Sequence, residues 1–280
     1  MRFELSHADV RELIMLALSE DIGAGDVTTE LTVDAGRRAS GRFVARQEMV
    51  LAGVELLPLI FECRGEPVDD INITHLSGAH LAAGAKFATL RGPARTLLTC
   101  ERVTLNFLQR LSGVATLASR FVKAVEGTSA RVLDTRKTTP GMRRLEKMAA
   151  AAGGVTNHRM GLYDAVLIKN NHIAAAGGVR AALKAVGKTG MPAEIEVRTR
   201  QELDEALECG ARHLLLDNVA PGEAAEWIRI INGRATTEIS GGVTLETARA
   251  YAETGANFIS AGAITHSAPA VDINFGLVLS

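Results

Sequence analysis

The chain has 280 residues and a mass of 29.7 kDa, enough for one large α/β domain or two smaller ones. Its 31 Lys and Arg against 32 Asp and Glu give a net charge of −1 and a pI near 6.7, so no basic face for nucleic acid or an anionic membrane is expected. Hydrophobic residues at 47% and charged residues at 22% fit a globular protein with a sizeable core, and the three separated cysteines, Cys63, Cys100 and Cys209, fit free thiols rather than a disulfide framework.

The first residues, Met1-Arg2-Phe3-Glu4-Leu5-Ser6-His7, carry an acid and a histidine where a secretory leader would be apolar. The longest apolar runs fall far short of a membrane span, and a cytoplasmic protein is expected. Apolar residues at helical spacing predict an amphipathic helix over 9–19, ending before Asp21-Ile22-Gly23. From about residue 40 the signals change to short runs punctuated by glycine, which predict strands over 41–46 and 85–90 with a helix over 54–61 between them. A long helix over 94–111 leads out of this first region.

The second half has another rhythm. Short apolar runs recur, and each stops at a polar residue: Asp134, Lys169, Glu196, Asp217, Ser240 and Ser260. From residue 195 onward they come about twenty residues apart, separated by helical segments over 200–209 and 245–254 that glycines close. Strand, helix, strand at that period predicts parallel strands with right-handed crossovers, and a succession of them predicts a β/α barrel. In such a barrel the carboxyl ends of the strands share one face, so Lys169, Glu196, Asp217 and Ser240 would converge there.

Chemistry-bearing residues crowd one stretch. Asp134-Thr135-Arg136-Lys137-Thr138-Thr139-Pro140-Gly141, Asn157-His158-Arg159 and Lys169-Asn170-Asn171-His172 place two arginines, two lysines and two histidines at the ends or flanks of apolar runs. Cations gathered on a chain that is not basic overall suggest a pocket for a small, multiply charged anion. Arginine offers a planar fork for carboxylate or phosphate, lysine a compact charge. For Lys169 an ion-pair partner, a phosphate ligand and a Schiff-base lysine all fit its position. Glu196 and Asp217 could hold Mg²⁺, bind sugar hydroxyls, stabilise a cationic transition state, or simply neutralise the lysine. Ser240-Gly241-Gly242 and Ala261-Gly262-Ala263 follow late strands, where backbone N–H groups commonly bind phosphate and where tight turns also need glycine. The spacings of zinc sites, of dinucleotide-binding loops and of the nucleoside-triphosphate P-loop are absent from the sequence.

Together these stretches resemble the quinolinate phosphoribosyltransferase family, type II phosphoribosyltransferases of NAD biosynthesis. The resemblance runs nearly end to end. It includes Glu20-Asp21-Ile22-Gly23, Gly25-Asp26-Val27-Thr28-Thr29, Glu101-Arg102 with Leu105-Asn106, the cationic stretch, Leu215-Leu216-Asp217-Asn218, Glu238-Ile239-Ser240-Gly241-Gly242 and Gly262-Ala263-Ile264-Thr265-His266-Ser267. It implies an α/β fold: an N-terminal α/β sandwich domain over 1–112, joined by a C-terminal tail from about 265 to 280, and an open seven-stranded β/α barrel over 113–264. It implies a homodimer in which Arg102 reaches the partner's active site, and it leaves open whether dimers assemble into hexamers. The implied reaction joins quinolinate to phosphoribosyl pyrophosphate with Mg²⁺, giving nicotinate mononucleotide, pyrophosphate and CO₂. Arg102, Arg136, His158 and Arg159 would bind the two carboxylates. Lys137, with Thr138 beside it, and Lys169 would take the pyrophosphate side, while 240–242, 261–263 and His266 would take the 5′-phosphate. Glu196 and Asp217 would face the ribose and metal. Two residues depart from the family pattern: Asn170, where an aspartate is common, and Arg198, where an acid is common. The alternatives are a relative of the same fold with another substrate, such as the molybdenum-utilisation paralogues, a Schiff-base lyase using Lys169, and a non-catalytic scaffold.

Overall fold

The computed structural model describes residues 7–66, 68–187 and 189–279. The leader reading above rests on residues 1–6, which lie outside the described residues. No helix among the described residues is long and apolar enough to cross a membrane.

The chain divides into two compact units. The first comprises the described residues of Met1–Ser119, Thr138–Gly154 and Thr265–Ser280; the second comprises those of Arg120–Lys137 and Val155–Ile264. In the first unit, helix α1 (Ala8–Ile22) buries Val10, Ile14 and Leu18, one stripe at four-residue spacing. Burying each such side chain stabilises by about 1.5–3 kcal/mol. Helix α2 (Val27–Thr32) follows at once because the Asp26 carboxylate accepts the Thr29 N–H at 3.0 Å, so Asp26-Val27-Thr28-Thr29 in the sequence is a helix cap. Strands β1 (Arg38–Ala45) and β2 (Met49–Val50), helix α3 (Leu56–Arg64), strands β3 (Asp70–Ile73), β4 (His80–Leu81) and β5 (Lys86–Pro93), and helix α4 (Ala94–Ala124) come next.

Helix α4 runs 31 residues, well past the predicted stop at 111. The apolar stripe continues through Val114, Ala118 and Phe121, all buried. A Cβ on Gly113 would collide with the Pro269 carbonyl, so the glycine lets the C-terminal tail lie against the helix backbone. Arg110 on the same helix donates from Nη1 to the Ala268 carbonyl at 2.7 Å, fixing the tail further.

The second unit is built on a parallel sheet. Its strands β6 (Arg131–Leu133), β7 (Val166–Ile168), β8 (Ala193–Val197), β9 (His213–Asp217), β10 (Thr236–Ser240) and β11 (Phe258–Ser260) lie in the order β6-β11-β10-β9-β8-β7, every pair parallel. The seventh strand of the expected barrel is reduced to one parallel bridge, Leu133 with Thr156, outside the named strands. Of the intervening helices, α5 (Arg143–Ala152) belongs to the first unit, whereas α6 (Asn170–Ala176), α7 (Val179–Gly187), α8 (Arg200–Glu208), α9 (Pro221–Ile231) and α10 (Leu245–Ala252) belong to the second. Short α11 (Ala263–His266) follows β11. Outward residues such as Ile195, Leu214, Leu216 and Ile239 are fully buried, as a sheet covered by helices requires.

The last strand, β12 (Ile273–Leu279), pairs antiparallel with β1 in the register Gly41 with Leu277 and Ala45 with Ile273. The four-stranded sheet of the first unit thus reads β12-β1-β5-β3, with the last strand of the chain at its edge. Residues 138–154 also join this unit, although the barrel range 113–264 would enclose them. A buried ion pair accounts for part of this. The Glu146 carboxylate, fully buried, accepts from Arg110 Nε at 3.0 Å and Nη2 at 2.7 Å, and from the Thr139 N–H at 3.0 Å and hydroxyl at 2.7 Å.

Candidate active site

The second unit carries most of the predicted site. Lys169, Asp217 and Ser240 stand at the carboxyl ends of β7, β9 and β10, and Glu196 is next to last in β8. In the parallel register Glu196 pairs with Leu215 and Ser240 with Asp217, so side chains two apart share the sheet's inner face. Glu196 is buried and Asp217 half-buried, while Lys169 is exposed. Burial first, then the Asp217 charge, pushes the Glu196 carboxyl up; Arg198, a bond from the Asn170 N–H and the Lys169 charge oppose this.

Arg198 was noted as a departure from the family pattern, and its position is specific. Its Nη2 lies 2.8 Å from Glu196 Oε1 and 2.7 Å from Asp217 Oδ2, and its Nε donates to the same Asp217 oxygen at 2.8 Å. Asp217 Oδ2 also accepts from Asn218 Nδ2 at 2.8 Å. One guanidinium therefore bridges both acids.

The glycine turns are shaped for close approach. Asn218 is left-handed at φ 57 and donates its N–H to the Ser240 carbonyl at 2.8 Å. Gly241 and Gly242 follow with φ of 87 and 67, and a Cβ on Gly241 would run into the Asn218 amide, so only glycine fits. The second turn is pinned where the Ala261 N–H donates to the Leu133 carbonyl at 3.1 Å.

The cationic stretch is organised by Asp134, which is fully buried. Its two oxygens accept from Asn157 Nδ2 at 2.6 Å and from the His158 N–H at 2.8 Å, tying the residues after β6 to those after Thr156. Arg159 and Arg136 lie close enough that each charge opposes the other; burial and then Arg136 hold the Arg159 guanidinium below its ordinary range. Arg159 Nη1 donates to the Ala165 carbonyl at 3.0 Å, whereas its Nε, sealed from solvent, has no acceptor among the described residues. Lys137 is exposed on the same segment.

His158 is held by neighbours on both ring nitrogens. Its Nδ1 accepts the Arg159 N–H at 2.8 Å, which assigns the ring proton to Nε2. Nε2 points to Glu194 Oε2 at 3.3 Å and Glu238 Oε2 at 3.5 Å. The ring is thus turned toward two acids. Burial, then the neighbouring Glu194, pushes the Glu238 carboxyl up to about 8, so it holds its proton at neutral pH. These three side chains border a cavity of about 470 Å³ that is also lined by Ala193, His213, Thr236 and Phe258, the first residues of β8 to β11, so it lies toward the amino ends of those strands and not at the ends that carry Asp217 and Ser240. They are the one group among the described residues whose donor atoms all lie within 4.8 Å in a metal-competent set. No motif in the sequence singles out Glu194 or Glu238, the two acids that face the His158 ring. The available signal was the period of two: Glu194 precedes Glu196, and Glu238 precedes Ser240, by two positions on the same face.

Arg102, Thr138 and His266 fall in the first unit, Arg102 exposed on α4.

The chain is similar to known proteins over nearly its whole length. The family model for the N-terminal domain of quinolinate phosphoribosyl transferase matches residues 26–112, and that for the C-terminal domain matches residues 114–276. A probable nicotinate-nucleotide pyrophosphorylase (carboxylating) of Bacillus subtilis strain 168 is 38% identical over 279 residues, covering 99% of this chain and 96% of its own. The mitochondrial quinolinate phosphoribosyltransferase (decarboxylating) 2 of Nicotiana glauca is 41% identical over 288 residues, covering 95% and 81%. Among solved structures, the nicotinate-nucleotide pyrophosphorylase from Francisella tularensis matches with a TM-score of 0.92 at 35% identity, covering 96% of each chain.

Proposed function

The chain belongs to the quinolinate phosphoribosyltransferase family, and from that premise we infer how its residues carry out the family's reaction. It transfers phosphoribosyl from phosphoribosyl pyrophosphate to quinolinate with decarboxylation, giving nicotinate mononucleotide for NAD biosynthesis. One observation carries the assignment of roles: an acid pair and glycine turns leave one end of a parallel sheet whose connecting segment holds two mutually repelling arginines.

Arg136 and Arg159 are the grip for quinolinate. Their repulsion in the substrate-free protein is relieved by a dianion, and the unsatisfied Arg159 Nε gains an acceptor. Arg102 joins them from a second copy of the chain, an arrangement that a dimer or a hexamer satisfies. His158 acts here as a support: its Nδ1 fixes the Arg159 backbone while Glu194 and Glu238 hold the ring. Lys137 and Lys169 neutralise the pyrophosphate, and the N–H groups of 240–242 and 261–263 receive the 5′-phosphate.

As the bond from ribose C1 to pyrophosphate breaks, positive charge develops on the ring. Glu196 and Asp217 stabilise it from the inner face. The ring nitrogen of quinolinate then bonds to C1, and the resulting pyridinium accepts the electron pair left when CO₂ departs; that carbon takes a proton from solvent. The protein orients the leaving carboxylate and excludes water, and no covalent nucleophile is required. The two carboxylates are hard oxygen donors that already share one cation, Arg198, and so fit Mg²⁺. Bound there, Mg²⁺ would supply charge neutralisation for the departing pyrophosphate. Three free thiols support a reducing, cytoplasmic location.

Product analysis tests the reading. Purified protein given both substrates is expected to form nicotinate mononucleotide, and borohydride added during turnover is expected to trap no adduct on Lys169. A substrate adduct on that lysine would replace this mechanism with Schiff-base chemistry.

A further inference from the structure

Arg198 stands directly after β8, and its backbone N–H donates to Glu202 Oε2 at 2.7 Å, which ties it to the first turn of α8. Its side chain is 44% exposed, whereas those of Glu196 and Asp217 are 7% and 12% exposed. A part-exposed cation thus reaches from solvent onto a largely buried acid pair and contacts both members with the same nitrogen. A guanidinium keeps its charge at any physiological pH, so it offsets one of the pair's two charges whatever the conditions. Any other cation that is to sit between these carboxylates must displace it.

We propose that Arg198 is the resident counter-ion of the Glu196 and Asp217 pair, positioning both carboxylates in the substrate-free protein and competing with a divalent cation for them. It withdraws along its exposed stem when the sugar substrate brings its own metal. Free protein then binds divalent cations weakly, and the metal arrives with pyrophosphate attached. Such an order keeps the acid pair oriented toward the inner face before the ribose is present. The inference rests on reading these two acids as the pair that faces the ribose.

The test is titration of Mn²⁺ into the full-length protein without substrate, following the free-ion signal by electron paramagnetic resonance. Arg198→Ala is expected to bind Mn²⁺ roughly 10- to 100-fold more tightly than the parent, the range set by losing one charge-assisted competitor. In Arg198→Ala combined with Asp217→Asn that gain disappears. Arg198→Lys keeps the charge but loses the shared fork, so an intermediate gain is expected; it also covers the case in which the alanine variant folds poorly. Unchanged Mn²⁺ affinity in Arg198→Ala, or a gain that survives Asp217→Asn, overturns the proposal. Failure of the underlying reading shows separately, as Asp217→Asn alone turning over at the parent rate.

Discussion

Glu238 offers a stability prediction whose sign is fixed by its surroundings. It is 4% exposed, faces Glu194 and the His158 ring, and keeps its proton up to about pH 8, against 4.5 for an ordinary glutamate. The folded protein therefore retains a proton that the unfolded chain releases above about pH 4.5. The stabilising contribution of this group is fully present below that pH and is lost as pH climbs through 8. At about 1.4 kcal/mol per pH unit the full span is on the order of 5 kcal/mol, and sharing of the proton with Glu194 brings the expectation to roughly 2–4 kcal/mol. Glu238→Gln copies the protonated carboxyl in shape and cannot titrate. Its amide can donate to Glu194 and its carbonyl can accept from His158 Nε2. Urea unfolding followed by circular dichroism at pH 5, 6.5 and 8.5 gives the comparison. At pH 5 the variant should lie within about 1 kcal/mol of the parent, and by pH 8.5 it should be the more stable protein by roughly 2–4 kcal/mol. A difference between the two that stays flat across this range would refute the description of a proton trapped inside the barrel.

Other perturbations separate the remaining parts. Glu146→Ala leaves the Arg110 guanidinium without its carboxylate partner and should cost about 3–5 kcal/mol in urea unfolding, since it strips a buried ion pair of one member. Arg136→Ala should weaken quinolinate binding roughly 10- to 100-fold by titration calorimetry, one charge-assisted contact's worth, with folding intact or slightly favoured as repulsion with Arg159 is relieved. Asp217→Asn should lower kcat roughly 10²- to 10³-fold while quinolinate affinity holds steady, because it removes charge needed only in the transition state.

Much of this arrangement could be read from the order of residues, for reasons that are local. A polar residue closing an apolar run marks a strand end, which is how Lys169, Asp217 and Ser240 could be placed on one face without coordinates. Paired glycines mark a turn of special backbone conformation, and Gly241 and Gly242 have it. What escaped depends on distant partners. The need for a glycine at Gly113, inside α4, shows only once the tail at Pro269 is seen to press against it. The inclusion of 138–154 in the first unit involves Glu146 meeting Arg110, thirty-six positions away. His158 has the chemistry of a carboxylate ligand, yet Asp134 and the Arg159 N–H set its ring toward Glu194 and Glu238. Arg198 was visible as an oddity of composition; that it closes the acid pair could be known only from geometry.

The most direct measurement is the stoichiometry of CO₂ and pyrophosphate released when the purified protein is given carboxyl-labelled quinolinate and phosphoribosyl pyrophosphate. One CO₂ for each pyrophosphate is expected, with both falling together in Asp217→Asn. A well-folded protein that releases neither, or that frees pyrophosphate without CO₂, would contradict the account.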